Sequence, residues 1–225
     1  MFRILLLFVL LITMNGCRVR NIFTFYYTDL TNGKSLEQLK CIPASGPPNI
    51  FQVSNVLIKE KELLENNYMC QGYSGFPKSG NMDQLLVHSK KIRASDVVIS
   101  TNVVPTGWYI NKGTGGPTYG IKTFASFWNK YATPRTLGVM SRNLNDEEKK
   151  RSESNKGVAV ELIVKNTPAY ENDIIVGDII LKINSEIIVD NDSFIYLVKK
   201  YRGTQIDIEI FRNREIINKT ITLNK

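Results

Sequence analysis

Between Gly157 and Leu223 the chain repeats one pattern three times, a short run in which every second residue is a bulky apolar one. Leu162 and Val164, then Ile179, Leu181 and Ile183, then Ile206, Ile208 and Ile210 fall on period two. That spacing turns alternate side chains to one face of a strand. Runs this short are stable only when several pair, so they predict a compact, barrel-like sheet. The punctuation agrees. Thr167-Pro168 fixes a turn, and Pro168 is well placed to open a helical turn. Gly177-Asp178 is a turn pair ahead of a buried strand, which makes Asp178 a structural acid rather than a catalytic one. A helix is expected from about Asp192 to Tyr201. Two more strands follow, over Gln205 to Arg212 and Glu215 to Leu223.

The order of these motifs resembles the PDZ domains of the bacterial HtrA-type envelope proteases, from Arg135 to about Leu223. Arg135-Thr136-Leu137-Gly138-Val139 stands where that family has a Gly-aromatic-Leu/Ile-Gly-Ile/Val loop, with Thr136 in the aromatic position. A short charged helix (Asn145 to Ser152) and a glycine-led strand (Lys156 to Val164) come next, then Asn166-Thr167-Pro168-Ala169-Tyr170. Gly177-Asp178-Ile179-Ile180-Leu181-Lys182-Ile183-Asn184 matches the family's Gly-Asp-x-Ile-x-x-Ile-Asn. The resemblance implies binding by strand addition, a partner's extended C-terminus lying beside Val139-Met140-Ser141. It also implies that the terminal carboxylate is held by the N–H groups of Thr136-Leu137-Gly138, with Gly138 allowing close approach and Arg135 adding charge attraction. Phe194 and Val198 would wall the pocket for the last apolar side chain, with Leu197 and Tyr201 facing the core. The alternative is that Phe194 and Val198 are core as well. The family's protease domain has no counterpart in the sequence. No Gly-x-Ser-Gly-Gly occurs, His88 follows no matching segment, and the roughly 120 residues ahead are too few for that double barrel. No catalytic residue and no cofactor are expected.

Residues 36–128 read as a small α/β domain and 129–225 as the PDZ domain. In the first, Asn49 to Val53 reads as a strand behind Gly46-Pro47-Pro48, Lys59 to Asn66 as a helix, and Tyr68 to Tyr73 as a strand ended by Ser74-Gly75-Phe76-Pro77. Met82 to Arg93 is an amphipathic helix with Met82, Leu85, Leu86, Ser89 and Ile92 on one stripe, and Asp96 to Val104 a third strand. The order β-α-β-α-β suggests a layer sandwich, and the chain as a whole is α+β. Lys90-Lys91-Ile92-Arg93-Ala94-Ser95-Asp96-Val97-Val98 resembles the helix-to-strand junction of small envelope-lipoprotein domains of the Rcs stress-sensor type. Arg93 stands in the glycine position, so the helix is expected to end without a left-handed residue. His88, the single histidine, excludes zinc sites needing two imidazoles. It is expected to flank the buried stripe as a structural or surface residue. The glycines of 105–117 lack Gly-Lys-Ser/Thr and read as a hairpin or loop rather than a phosphate cradle. Tyr119 to Trp128 alternates as a strand.

Ahead of Cys17 stand a cationic start and nine apolar residues, Ile4 to Ile12. That is too short to span a bilayer and the right length for a signal-peptide core. Gly16-Cys17 behind it resembles the bacterial lipobox. The resemblance implies removal of residues 1–16, lipidation of Cys17 and a membrane-anchored lipoprotein facing the periplasm. Arg18, in place of an inner-membrane-retaining Asp, hints at the outer membrane. Ordinary cleavage with a free Cys17 is the alternative. Residues 17–35 read as a tether in which Phe23, Phe25 and Tyr27 alternate with Thr24, Tyr26 and Thr28 as a strand. Cys41 and Cys70 either form one disulfide or are two separate buried thiols. The net charge of +8 is scattered, which suits a solvated surface and not a nucleic-acid footprint. The expectation is a non-enzymatic envelope lipoprotein whose PDZ domain binds tails or extended segments of other envelope proteins, as adaptor, scaffold or stress sensor. The alternative is a structural subunit with its groove permanently filled.

Overall fold

A computed structural model describes residues 21–101 and 122–225. Cys17 with its leader and the glycine-rich 105–117 segment lie outside the described residues. The first module is a five-stranded sheet of β1 (Tyr27–Asp29), β2 (Asn49–Gln52), β3 (Tyr68–Phe76), β4 (Asp96–Ser100) and β5 (Thr123–Lys130), in the order β1-β3-β5-β4-β2. Only β2 and β4 run parallel as neighbours. Helix α1 (Ile22–Phe25) precedes β1, α2 (Val56–Glu65) links β2 to β3, and α3 (Met82–Ile92) links β3 to β4. The two crossovers travel along the sheet in opposite directions, and right-handed crossovers then put their helices on opposite faces. Two cores result. One gathers Phe23, Leu85, Val97, Ala125 and Phe127 under α1 and α3, the other Val56, Leu63, Val98, Phe124 and Trp128 under α2.

Several expectations change here. The Phe23–Thr28 segment is not one strand. Asn21 caps a helical turn by accepting from the N–H groups of Phe23 and Thr24. That turn drives Phe23 into the core edge-on to Phe76, at 5.0 Å between ring centroids. β3 does not stop at Tyr73. A bulge at Gln71 carries it on to Phe76, and Gly72 there lets β1 approach, because a Cβ would strike the Tyr27 ring. In α3, Met82 is 43% exposed while His88 is 1% exposed, so His88 sits in the core and does not flank it. Arg93 takes the left-handed conformation itself (φ 57°, ψ 37°) and ends α3 with its N–H bonded back to the carbonyls of Lys90 and Ser89. The chain thus accepts a strained arginine where glycine would be free. Cys41 and Cys70 are free thiols. Cys41 Sγ meets Met69 Sδ at 3.9 Å, whereas Cys70, the next residue of β3, points to the other face and packs in the α2 core. Burial, and then the Glu60 carboxylate, pushes the Cys70 thiol well up.

The second module is built from β6 (Val139–Asn143), α4 (Asp146–Ser152), β7 (Val158–Ile163), α5 (Pro168–Glu171), β8 (Ile179–Ile183), β9 (Glu186–Ile187), α6 (Asn191–Lys200), β10 (Gln205–Arg212) and β11 (Glu215–Thr222). Its strands run β11-β10-β8-β7-β6, with β9 pairing β8. The sheet is therefore open, with β6 and β11 as edges, and not a closed barrel. Its main core is almost wholly aliphatic and includes Leu137, Val160, Ile180, Ile183, Ile208, Ile210 and Leu197. Asp178 is buried and paired with Arg212 at 2.6 and 2.7 Å, while also accepting from the N–H of Ile175. It is a structural acid, as its turn position implied.

β5 ends at Lys130, and a short junction follows. The N–H of Lys165 donates to the carbonyl of Glu65 at 2.8 Å, and the Lys165 ammonium lies 3.6 Å from the Glu65 carboxylate. Asn67 Nδ2 donates to the Thr133 carbonyl. Arg135 lays its guanidinium over the Tyr131 ring, 4.0 Å from the centroid.

Candidate functional site

The free edge of β6 faces α6 across the sheet's end, since β6 pairs with β7 alone. An unpaired edge is a row of unused N–H and C=O groups. The Gly138 carbonyl accepts from Val164 N–H at 2.8 Å. In an antiparallel ladder the next residue then turns its own N–H and C=O outward. Val139 therefore presents its backbone to the gap between β6 and α6.

The turn leading into β6 is pinned by its carbonyls. Arg135 O accepts from Asn224 Nδ2, Thr136 O from Asn224 N–H, and Leu137 O from Ala169 N–H. The N–H groups of Leu137 and Gly138 donate to no described residue. Gly138 is held at φ +89°, where an L side chain is strained, and a Cβ would run into the side chain of Thr167. Thr167 is itself buried and fixed by its hydroxyl donating to Val164 O at 2.6 Å. The turn is thus rigid, with carbonyls satisfied and two N–H groups unspent, the arrangement of an anion-binding nest.

The gap beside the turn runs between β6 and α6. At its far end α6 is tied to β6, with the Ser141 hydroxyl donating to Asn191 Oδ1 at 2.7 Å and Asn191 N–H donating to Asn143 Oδ1 at 2.7 Å. Asp190 caps the helix there in a reciprocal box with Ser193. Phe194 and Leu197 are buried in the core, while Val198 and Tyr201 are half-buried and pack against its margin. Val139 lies opposite them at the same margin, and Met140 is half-buried beside it. Tyr201 donates its hydroxyl to the Glu186 carboxylate, which also meets Lys200. These donors hold the Glu186 carboxyl below the usual carboxylate range, Lys200 first and Tyr201 second.

The residues singled out by sequence are brought together in part. Thr136, Leu137, Gly138 and Val139 form the turn and the start of β6, and Val139 and Val198 both pack at the margin of the core to which Leu137 belongs. Phe194 is a core residue, at 3% exposure, as is Leu197. Arg135 leans away onto Tyr131, with its Nε buried and unbonded. Asn143, Asn191 and Asn224 also shape the site and carry no local signal, because their hydrogen bonds reach residues dozens of positions away. Ser141 and Thr167 lie in the strand and the turn that the sequence marks. Among the described residues no three His, Cys, Asp or Glu side chains gather as a metal site. No described helix is long and apolar enough to cross a membrane.

Residues 136–223 match the family model for the PDZ domain. Among solved structures, the chain is similar to the PDZ domain of HtrA3 bound to a phage-derived ligand, with 22% identity over 40% of this chain and 84% of that one and a TM-score of 0.34. It is similar also to the HtrA-type protease AlgW with a decapeptide, at 21% identity, 50% and 39% coverage and a TM-score of 0.36. The serine endoprotease from Yersinia pestis shows 24% identity, 40% and 28% coverage and a TM-score of 0.32. The chain thus spans well under half the length of either protease. No curated protein matches it.

Proposed function

We propose that this chain, whose residues 136–223 are a PDZ domain, takes up the extended C-terminal tail of another protein along β6 and performs no chemistry on it. What supports this reading is a turn whose carbonyls are bonded while the N–H groups of Leu137 and Gly138 donate to no described residue, next to a free strand edge and the apolar side chains of Val139 and Val198. The tail's carboxylate sits on the N–H groups of Leu137 and Gly138. Its backbone pairs with Val139, and its last side chain enters between Val139 and Val198. The ties from Ser141 and Asn143 to Asn191 close the far end of β6 to a ligand, which favours ligands whose final few residues do most of the binding. The solved HtrA-type structures with a phage-derived ligand and a decapeptide agree with a peptide as occupant. The leader-like run and Gly16-Cys17 support a lipid-anchored adaptor, scaffold or sensor facing the periplasm, with other envelope proteins as partners. A Cys17→Ser chain that still carries acyl groups would remove that part of the reading.

The test is a titration of the full chain with an apolar-ended peptide, followed by amide shifts. Shifts at Leu137, Gly138 and Val139 that vanish when the peptide is C-terminally amidated are expected. Val198→Asp should weaken binding at least about tenfold by placing a charge at the apolar margin. Shifts that ignore amidation, or no shifts at these residues, would overturn the reading. A single stoichiometric partner that never leaves the groove, found by cross-linking, would point to a permanent structural subunit instead. Gly138 is unsuitable as the test position, because any side chain there strikes Thr167 and perturbs the fold.

A further inference from the structure

The edge of the sheet opposite the groove carries a second, differently charged concavity. The C-terminal half of α4 and the β10–β11 hairpin enclose a cavity of about 680 Å³. Phe211 and Ile216, directly paired across the hairpin, line its apolar part, and Ile216 is 52% exposed. Lys150, Arg151 and Arg214 supply its charge against one carboxylate, Glu153. Lys150 and Arg214 form no ion pair with a described residue, and Arg151 reaches only the Gly177 carbonyl, at 3.3 Å. The end of α4 adds little negative character, because the carbonyls of Lys149 and Lys150 are already bonded to the N–H groups of Ser154 and Glu153.

Beside this cavity β11 is a free edge. The hairpin turns on Asn213 and Arg214, both at positive φ (52° and 68°), a two-residue turn of the primed kind. Such a turn makes Arg212 and Glu215 a hydrogen-bonded pair, so alternation points the N–H and C=O of Ile216 and Asn218 away from β10. Three cations facing one carboxylate, an exposed isoleucine and unused backbone groups coincide at one end of the sheet.

We propose that this surface docks an acidic, extended segment of a protein partner. The segment adds beside β11, places an apolar side chain against Phe211 and Ile216, and sets its carboxylates among Lys150, Arg151 and Arg214. An anionic bilayer has the right charge but the wrong shape. A flat surface cannot enter a concavity or pair with a strand edge. β6 and β11 are the two end strands of the sheet; Asn224 beyond β11 bonds to the turn before β6, but the cavity lies at the other, hairpin end of β11, so a single chain can hold two partners at once.

The experiment uses the full chain and a hexapeptide of alternating Glu and Val, acetylated and amidated so that it has no terminal carboxylate for the β6 turn. Expected are salt-sensitive amide shifts at Lys150, Arg214, Ile216 and Asn218, and none with a capped Lys/Val peptide. The double variant Lys150→Glu, Arg214→Asn should lose about tenfold in affinity while keeping the amide dispersion of the wild type. Asparagine is chosen because it tolerates the left-handed conformation at 214. Shifts confined to Val139 and its neighbours, equal binding of the Lys/Val peptide, or an unchanged affinity in the double variant would each overturn the proposal. So would binding to phosphatidylglycerol vesicles by these cations without any binding of the peptide, which would assign the surface to a membrane.

Discussion

The two modules solve the same problem, a sheet that must be covered, with different materials. Of the twelve buried polar or charged side chains among the described residues, ten belong to the first module, and only Thr167 and Asp178 to the second. The first sheet is covered by helices on both faces, and its interior is threaded by hydrogen bonds. Gln71 Nε2 donates to Asn129 Oδ1, and Asn129 Nδ2 donates to the carbonyls of Ile42 and Arg93. Ser126 donates to Glu60 and accepts from the Trp128 indole. The second sheet is held by aliphatic packing and one buried ion pair. Groups in the first kind of interior must find partners or cost about 1–3 kcal/mol each. The second kind has one charged pair to satisfy and otherwise depends on packing.

That contrast can be broken most sharply at Asp178. Asp178→Ala leaves Arg212 beside an uncompensated pocket and the Ile175 N–H without its acceptor. It should cost about 3–5 kcal/mol in denaturant unfolding, the range for breaking a buried pair. A loss under about 1 kcal/mol, the value of a surface pair, would show that the second core does not depend on its single charge.

The next effect belongs to the first module and to pH. His88 is enclosed by Tyr27 and Phe127, with its Nδ1 2.9 Å from the Thr24 hydroxyl and its Nε2 buried without a partner. Burial first, and the Lys91 charge second, lowers its pKa to about 4. The unfolded chain binds the proton nearer the ordinary value of about 6.5. The stabilisation is therefore full above that value and is lost as pH falls toward the folded pKa, by up to about 3 kcal/mol. Melting curves between those limits should steepen in the wild type relative to His88→Gln. Parallel curves would mean that the imidazole is not held neutral.

The smallest effect sits at the end of α3. Arg93→Gly relieves a left-handed side chain and gives up only an exposed ion pair to Glu37, 2.9 Å long. A net gain of about 0.5–1 kcal/mol is expected from thermal or chemical unfolding. A net loss would show that the Glu37 contact outweighs the backbone strain.

The same contrast explains what was legible in the sequence. Ile179, Leu181, Ile183 and Ile206, Ile208, Ile210 announce strands because nothing polar interrupts their period, and Gly177-Asp178 and Thr167-Pro168 announce their turns. In the first module the period is broken by the residues that make its interior. Ser89 is buried as its place on the stripe implies, but His88, read as flanking the stripe, is buried too, while Met82, read as part of it, is exposed. Ser74 and Gly75 look like a strand's end, yet Ser74 is buried and bonds to the Phe23 carbonyl. The phenylalanine itself reaches the core only because Asn21 starts a helical turn. At the groove the turn, its glycine and the strand were readable. The partners that fix them, Asn224, Asn143 and Asn191, were not, since a bond between residues dozens of positions apart leaves no local trace.

Arg135 shows what this costs an experimenter who cuts the molecule in two. Its guanidinium is parked on Tyr131, on the far side of the junction from the turn it adjoins in sequence. Cut the chain between Tyr131 and Arg135 and that aromatic shelf goes with the discarded piece. A loose cation is then left one residue from where a tail's carboxylate would sit. The isolated fragment would be a stickier, less discriminating receptor than the whole, and a ligand screen run on it would rank acidic tails too high.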